Sequence, residues 1–413
     1  MIRHLQRGCT IAAVLIFTAP VLFAEVCFGN HTFSARFYSD QYYENADSCL
    51  NPDNVFDVDE GFAGKERFTT GYHWAGKNLS VTMNDFMSLT PAEDPGFTNC
   101  FGELYGSVCL GNVFIDIGKK RINQSLSYFK SPINFVLSGY DQYDLQFSEG
   151  CIMANIEAFT DFGFIGFSFM PECGFNSDIE RYVSSSQDRQ LLLRYDLPTT
   201  NCTTGIAVYW NDNWRLGCHF SRTLGDYAEI HTEYVFNEKK NVSGFRLNDG
   251  IASNVSVTKK YCSEGLLGLT VNSAWLSGIG EYYYNQAGYS YDEWKDVTDT
   301  FHDIRDSDQT AAMYRYNLGT AFQSMASNRS FGCGRHYAML RLSNPSTEKL
   351  QYSVNMIVNL QDGSGMVTPS IRYDGWEHIA AEASFSACFG NPYSEFMLYA
   401  DSWQSCLTME IWL

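Results

Sequence analysis

Positive charge is what this 413-residue chain has least of: 28 Lys and Arg stand against 47 Asp and Glu, a net charge of −19. That deficit argues against nucleic acid and anionic lipid headgroups as partners. No CxxC pair and no Cys/His spacing suited to zinc occurs, so neither a metal site nor a cofactor is expected. Beyond residue 24 there is no run of 18 or more apolar residues, which excludes a transmembrane helix. Linker composition is missing too, so nothing divides the length into a row of small domains.

What is present begins with residues 1–24, MIRHLQRGCTIAAVLIFTAPVLFA. Arg3 and Arg7, an apolar run from Thr10 to Phe23 and the small exit residue Ala24 read as a secretory signal peptide. Its removal would leave residues 25–413 with 26 bases against 47 acids, a net charge of −21. Twelve of the 13 cysteines follow residue 24, and in an exported protein they can pair. Cys100/Cys109, Cys151/Cys173 and Cys202/Cys218 are possible short closures; the alternative is that some, such as Cys218, are small apolar residues facing outward.

The dominant pattern has period two. Val113, Ile115 and Ile117 alternate with Asn112, Phe114 and Asp116; Ile152, Ala154, Ile156 and Ala158 oppose Met153, Asn155 and Glu157. Ala228, Ile230, Tyr234 and Phe236 oppose Glu229, His231 and Glu233. Stretches rich in Gly, Asn, Asp and Pro, such as LSNPSTEK and LQDGSG, separate such runs and predict an antiparallel meander. One face is aliphatic and tipped by aromatics, while the other carries Asn, Gln, Ser, Glu and His. That is the dyad repeat of an all-β transmembrane barrel in the cell outer membrane, lipid outside and a wet lumen within. Between about fourteen and twenty-one segments can be drawn, and sixteen or eighteen strands is the best estimate.

The chain ends on SCLTMEIWL, with Ser405, Leu407, Met409, Ile411 and Leu413 on one side and Cys406, Thr408, Glu410 and Trp412 on the other. A closed barrel pairs its last strand with its first, so such an end is held on both edges. The stretch resembles the C-terminal signal of bacterial outer-membrane barrels, which implies the barrel-assembly machinery as a partner. It departs from that pattern in Leu413 and Ile411, where the family places aromatics.

Three segments break the alternation and predict long loops: about 41–65, 118–138 and 287–309. In the last, Trp294, Val297, Phe301 and Ile304 recur at helical spacing and predict a short amphipathic helix. The second segment, GKKRINQSLSYFKSPINFVLS, concentrates Lys119, Lys120, Arg121 and Lys130 in an acidic protein. Folded into the lumen opposite the wall acids Asp116, Glu157, Glu229 and Glu233, it would form a selective constriction with a transverse field. The alternative is that these bases cap a turn and touch no solute. IDIGKKR and SPIN in this region are loosely similar to alginate-export-type porin families, although SLSYF replaces the Trp-Gly expected there. That resemblance implies passage of small solutes without naming one.

Glu229, His231 and Glu233 share one strand face with side chains about 7 Å apart, a spacing that could hold a cation or an acid/base pair but reads first as a hydrated lumen wall of ordinary polar residues. No nucleophile can be assigned beside His302–Asp303, so no enzyme is expected. The expectation is therefore a channel for small hydrophilic solutes embedded in outer-membrane lipid. A surface adhesin or receptor built on Tyr-rich loops such as QYYENAD and EYYYNQAGYSYDEW is the alternative.

Overall fold

Alternation of this kind commits each strand to one apolar and one polar face, and only a closed sheet satisfies every backbone edge while keeping the two faces apart. The computed structural model describes residues 30–44, 61–90, 96–123, 125–136, 150–172, 189–307, 310–327, 333–345, 349–398 and 401–413. The strands are β1 (Asn30–Glu44), β2 (Gly61–Ala75), β3 (Leu79–Thr90), β4 (Gly96–Leu110), β5 (Val113–Lys120) and β6 (Cys151–Thr160). Then come β7 (Gly163–Met170), β8 (Gln190–Pro198), β9 (Cys202–Asn211), β10 (Asn213–Leu224), β11 (Ala228–Asn248) and β12 (Ile251–Asn272). The last six are β13 (Ser277–Asn285), β14 (His336–Ser343), β15 (Leu350–Asn359), β16 (Gly365–Trp376), β17 (Ile379–Phe389) and β18 (Asp401–Trp412).

Every strand pairs antiparallel with its neighbours in sequence, and β1 pairs with β18 as well as β2, closing an 18-stranded up-and-down barrel. The C-terminal strand is zipped on both edges, as its alternation implied: Ala35 faces Ile411 on one side and Ile379 faces Ile411 on the other. Leu413 continues the ladder, donating its amide to Phe33 O at 2.9 Å and accepting from Phe33 N at 3.1 Å. No helix among the described residues is long and apolar enough to cross a membrane.

The faces fall as the pattern predicts. Ile117 and Ile156 are exposed outward, whereas Asp116 and Asn155 are buried inward. On β11, Ile230 and Tyr234 point out while His231 and Glu233 point in. Connections at the end holding both termini are short, such as 111–112, 161–162 and 377–378. The opposite end carries the long ones. An exception there is the Asp249–Gly250 turn of the β11–β12 hairpin, where both residues have positive φ (50° and 80°), the geometry that fits the right-handed strand twist.

The predicted helix is α1 (Tyr291–Asp306), with Trp294, Val297, Phe301 and Ile304 as its buried residues. Ser290 and Glu293 form a reciprocal capping box at its start. A second helix, α2 (Ala311–Ser327), was not foreseen. It docks on the β11–β12 hairpin through Asn317, which donates to Gly250 O at 2.8 Å and accepts from Ala252 N at 2.7 Å.

Several boundaries differ from the sequence reading. β1 extends to Glu44 and β2 starts at Gly61, so the loop predicted over 41–65 contracts by the residues the ladder captures; 45–60 lie outside the described residues. Of 118–138, residues 118–120 complete β5, 121–123 and 125–136 are irregular, and 124, 137 and 138 lie outside the described residues. In EYYYNQAGYSYDEW, Glu281–Asn285 belong to β13 rather than to a loop. Among the described residues Cys109, Cys202 and Cys218 form no disulfide. Cys202 faces Arg222 at one end of the β9–β10 ladder and Cys218 faces Ile206 four positions up it, too far for a disulfide. Cys218 is exposed outward. Cys173 lies outside the described residues.

Candidate functional site

The inward face of a barrel this wide needs an element to narrow it, and the segment after β5 does so. Its apolar residues have somewhere to go. Met153, Met170, Leu192, Ala207, Tyr209 and Val235 form an apolar patch on the inner wall of β6–β9 and β11, and Ile122, Ile133, Phe135 and Val136 bury against it. Gly217 of β10 leaves the space for this: a Cβ there would lie 2.9 Å from Ile133 Cγ2. Burying Ile133 alone contributes on the order of 2 kcal/mol.

The polar stretch between these anchors is held by two wall carboxylates. Glu233 of β11 accepts from the amides of Leu126 (2.6 Å) and Ser127 (3.2 Å) and from the Ser131 hydroxyl. Glu281 of β13 accepts from the amides of Tyr128 (2.7 Å) and Phe129 (3.2 Å) and from the Ser127 hydroxyl (2.9 Å). His231 Nε2 lies 3.0 Å from Glu281 Oε1. Two buried carboxylates thus satisfy four backbone amides and two hydroxyls in a segment without regular structure, which is how an irregular stretch survives away from bulk water.

The bases singled out in the sequence are distributed, not clustered. Lys120 pairs with Asp116 on its own strand, and Asp116 also accepts from Asn155 at 2.9 Å. Arg121 pairs with Glu103 at 2.7 Å. Lys119 is buried, 3% exposed. Lys130 sits over the Tyr283 ring at 5.1 Å. Among the acids, Glu157 pairs with Arg194 at 2.6 Å, Glu229 is half-buried, and Glu233 holds backbone amides. Glu229, His231 and Glu233 do share the inward face; among the described residues no group of His, Cys, Asp and Glu is placed to hold a metal.

Sequence reasoning missed Glu281, Arg341 and Arg372. Tyr128 of the infolded segment lies beneath Arg341 of β14, 4.7 Å from guanidinium carbon to ring centre. Arg341 Nη1 donates to Asn355 Oδ1 at 3.1 Å and makes no ion pair among the described residues. Beside it, towards the short-turn end, opens a cavity of about 390 Å³ lined by Arg341, Ser353, Ser370, Arg372, Gln351 and Glu382 among others. Arg372 there also bonds Asp374 at 2.8 Å and Glu410 at 2.9 Å, and Glu410 in turn bonds Arg36 of β1. An alternating strand gives no signal that one of its inward arginines will lack an acid neighbour.

No family model and no curated protein sequence matches this chain. Solved structures do match its fold. Pseudomonas aeruginosa OccK2 (OpdF) in complex with glucuronate superposes at TM-score 0.55, with 8% identity over 93% of this chain and 98% of that one. Pseudomonas aeruginosa OpdK with vanillate gives 0.54, with 7% identity over 93% and 98%. Acinetobacter baumannii OccAB1 gives 0.55, with 8% identity over 93% and 96%.

Proposed function

We propose that this chain is an outer-membrane channel for small hydrophilic solutes, exported by the signal at residues 1–24 and inserted through recognition of its C-terminal strand. The apolar outer face meets lipid. Passage is narrowed by the infolded segment that carries Arg121 and Lys130 and follows Lys119 and Lys120 at the end of β5, and a solute carboxylate is engaged at the cavity beneath it. The observation that carries this reading is Arg341: a half-buried wall guanidinium with no ion pair among the described residues, facing a polar cavity beside the infolded segment. Vanillate and glucuronate, present in two of the similar barrels, are both carboxylates. A guanidinium offers a planar, permanently charged donor fork that suits this group.

Arg341→Ala tests it in planar bilayers. The protein should give discrete conductance steps, with reversal potentials favouring small carboxylates over sodium ions. The variant should keep the steps and lose much of that preference. A folded barrel without conductance would refute the channel. The receptor reading would then gain, since Tyr291 and Tyr316 stand 66% and 56% exposed on the helical cap.

A further inference from the structure

The Asp249–Gly250 pair suffices to join β11 to β12, yet residues 390–400 separate β17 from β18 at the same end. The extra length goes into the barrel. Asn391 O accepts from the Ser394 amide at 3.0 Å and from its hydroxyl at 2.6 Å, and Glu395–Met397 follow as one tight helical turn. Phe396 then buries among Leu266, Tyr283, Tyr337, Met339 and Ile357 on the inner wall of β12–β15. Glu395, 3% exposed, anchors it there. Its carboxylate accepts from the Cys333 amide, from the Tyr337 hydroxyl at 2.6 Å and from Asn359 Nδ2 at 2.6 Å. Its own amide donates to Asp362 Oδ2 at 2.7 Å.

The same wall cluster carries the middle of the infolded segment. Phe129 packs against it, and Lys130 sits over the ring of Tyr283, one of its members. Phe129 meets the Tyr128 ring edge-on at 5.3 Å, and Tyr128 lies beneath Arg341. Phe396 therefore stands at one end of a run of packed rings that finishes under the guanidinium facing the cavity. We propose that residues 393–398 are a second selectivity element, in which Phe396 is a positioning residue that fixes Tyr128 beneath Arg341 and so tunes the engagement of a solute carboxylate there. This deepens the channel reading and rests on it. Close-packed side chains pass a local change to their neighbours, and removing the Phe396 ring opens a void in the surface that supports Phe129. The outer part of the segment is held separately. Tyr393 and Leu398 pack with α1 and α2, and the Tyr393 hydroxyl accepts from Arg305 Nη1 at 2.9 Å. Loss at Phe396 thus acts on the cluster without releasing the whole connection.

The test compares wild type, Phe396→Ala, Phe396→Leu and Glu395→Gln by reversal potential in planar bilayers and by amide hydrogen exchange at neutral pH. Glu395→Gln keeps the shape but offers one acceptor oxygen to three donors. Phe396→Ala and Glu395→Gln should stay folded, lose at least half of the preference for small carboxylates over sodium ions, and exchange about tenfold faster at residues 126–129. Residues 133–136, buried against a different wall patch, should keep their protection. Phe396→Leu, which refills the cluster, should recover most of both. Folded variants with wild-type preference and exchange overturn the proposal, as does a change in conductance alone, which would make the connection a mere obstruction. If Phe396→Ala does not fold, Glu395→Gln decides by the same two readouts. A silent wild-type barrel sinks the channel, and with it any role in selectivity. Exchange at 126–129 then still decides whether Phe396 positions the segment.

Discussion

Glu281 and Glu233 each bind three donors of the infolded segment, and Glu281 holds its middle. It binds three donors of residues 127–129 and contacts His231. Glu281→Ala would leave two amides and a hydroxyl without their partner, and each orphaned group costs about 1–3 kcal/mol if water cannot reach it. The expected outcome is a pore of larger and noisier conductance together with a lower unfolding midpoint. Single-channel recording and thermal unfolding would check it, and unchanged records would show that the apolar anchors alone hold the segment. At this scale the sequence was least legible. Glu233 is identifiable as an inward acid from its own strand, but its partners lie more than 100 residues away in sequence. Glu281 opens the run EYYYN, whose tyrosines dominate any local reading. Period two gives the side a residue faces and not what stands opposite it across the lumen.

Elements were read in proportion to how local their cause is. The periodicity of α1 comes from its own four buried residues, so sequence alone found it. For α2, AAMYRYNLGTAFQSMAS shows only a weak apolar stripe, and the helix is placed by Asn317 bridging the β11–β12 turn. The capping contacts of α1 predict a pH response at the helical cap. Although burial opposes it, Glu293 is held below the usual carboxylate range by the Ser290 amide and by Lys259 and Arg335 nearby. A carboxyl lowered in the folded state stabilises at pH above its unfolded value, and that contribution is lost as pH falls through the folded one. Acidification below about pH 4.5 should therefore loosen the start of α1 before the barrel strands. Hydrogen exchange at pH 6 and pH 3, corrected for the slower intrinsic exchange in acid, would show it as lower protection over residues 291–297 at pH 3. Glu293→Gln should show a similar, lowered protection at both. An α1 equally protected at the two pH values would rule out this role for the cap.

Closure is a property of the whole molecule, and it is the reason the faces could be read so far ahead of the contacts. Each strand needs two partners, and the eighteenth finds its second only in the first, so no part of the ring has a protected edge until all of it is present. Deleting residues 401–413 takes away both the β1–β18 and the β17–β18 ladders. Pairing β1 directly with β17 would not repair this, because both run away from the short-turn end in one direction and could meet only in parallel. The polar lumen would then face an open seam bordered by acyl chains, where each unsatisfied backbone group costs several kcal/mol. We expect the truncated chain to fail to close in detergent or lipid, without the compact, heat-modifiable migration on gels and the strand signal in circular dichroism expected of the full chain. Leu413→Ala, which keeps both ladders and trims only an exposed side chain, should retain them. A truncated chain that still migrated as a folded barrel would mean that a smaller ring can form, and the order of β1 and β18 in the sheet would have to be reconsidered.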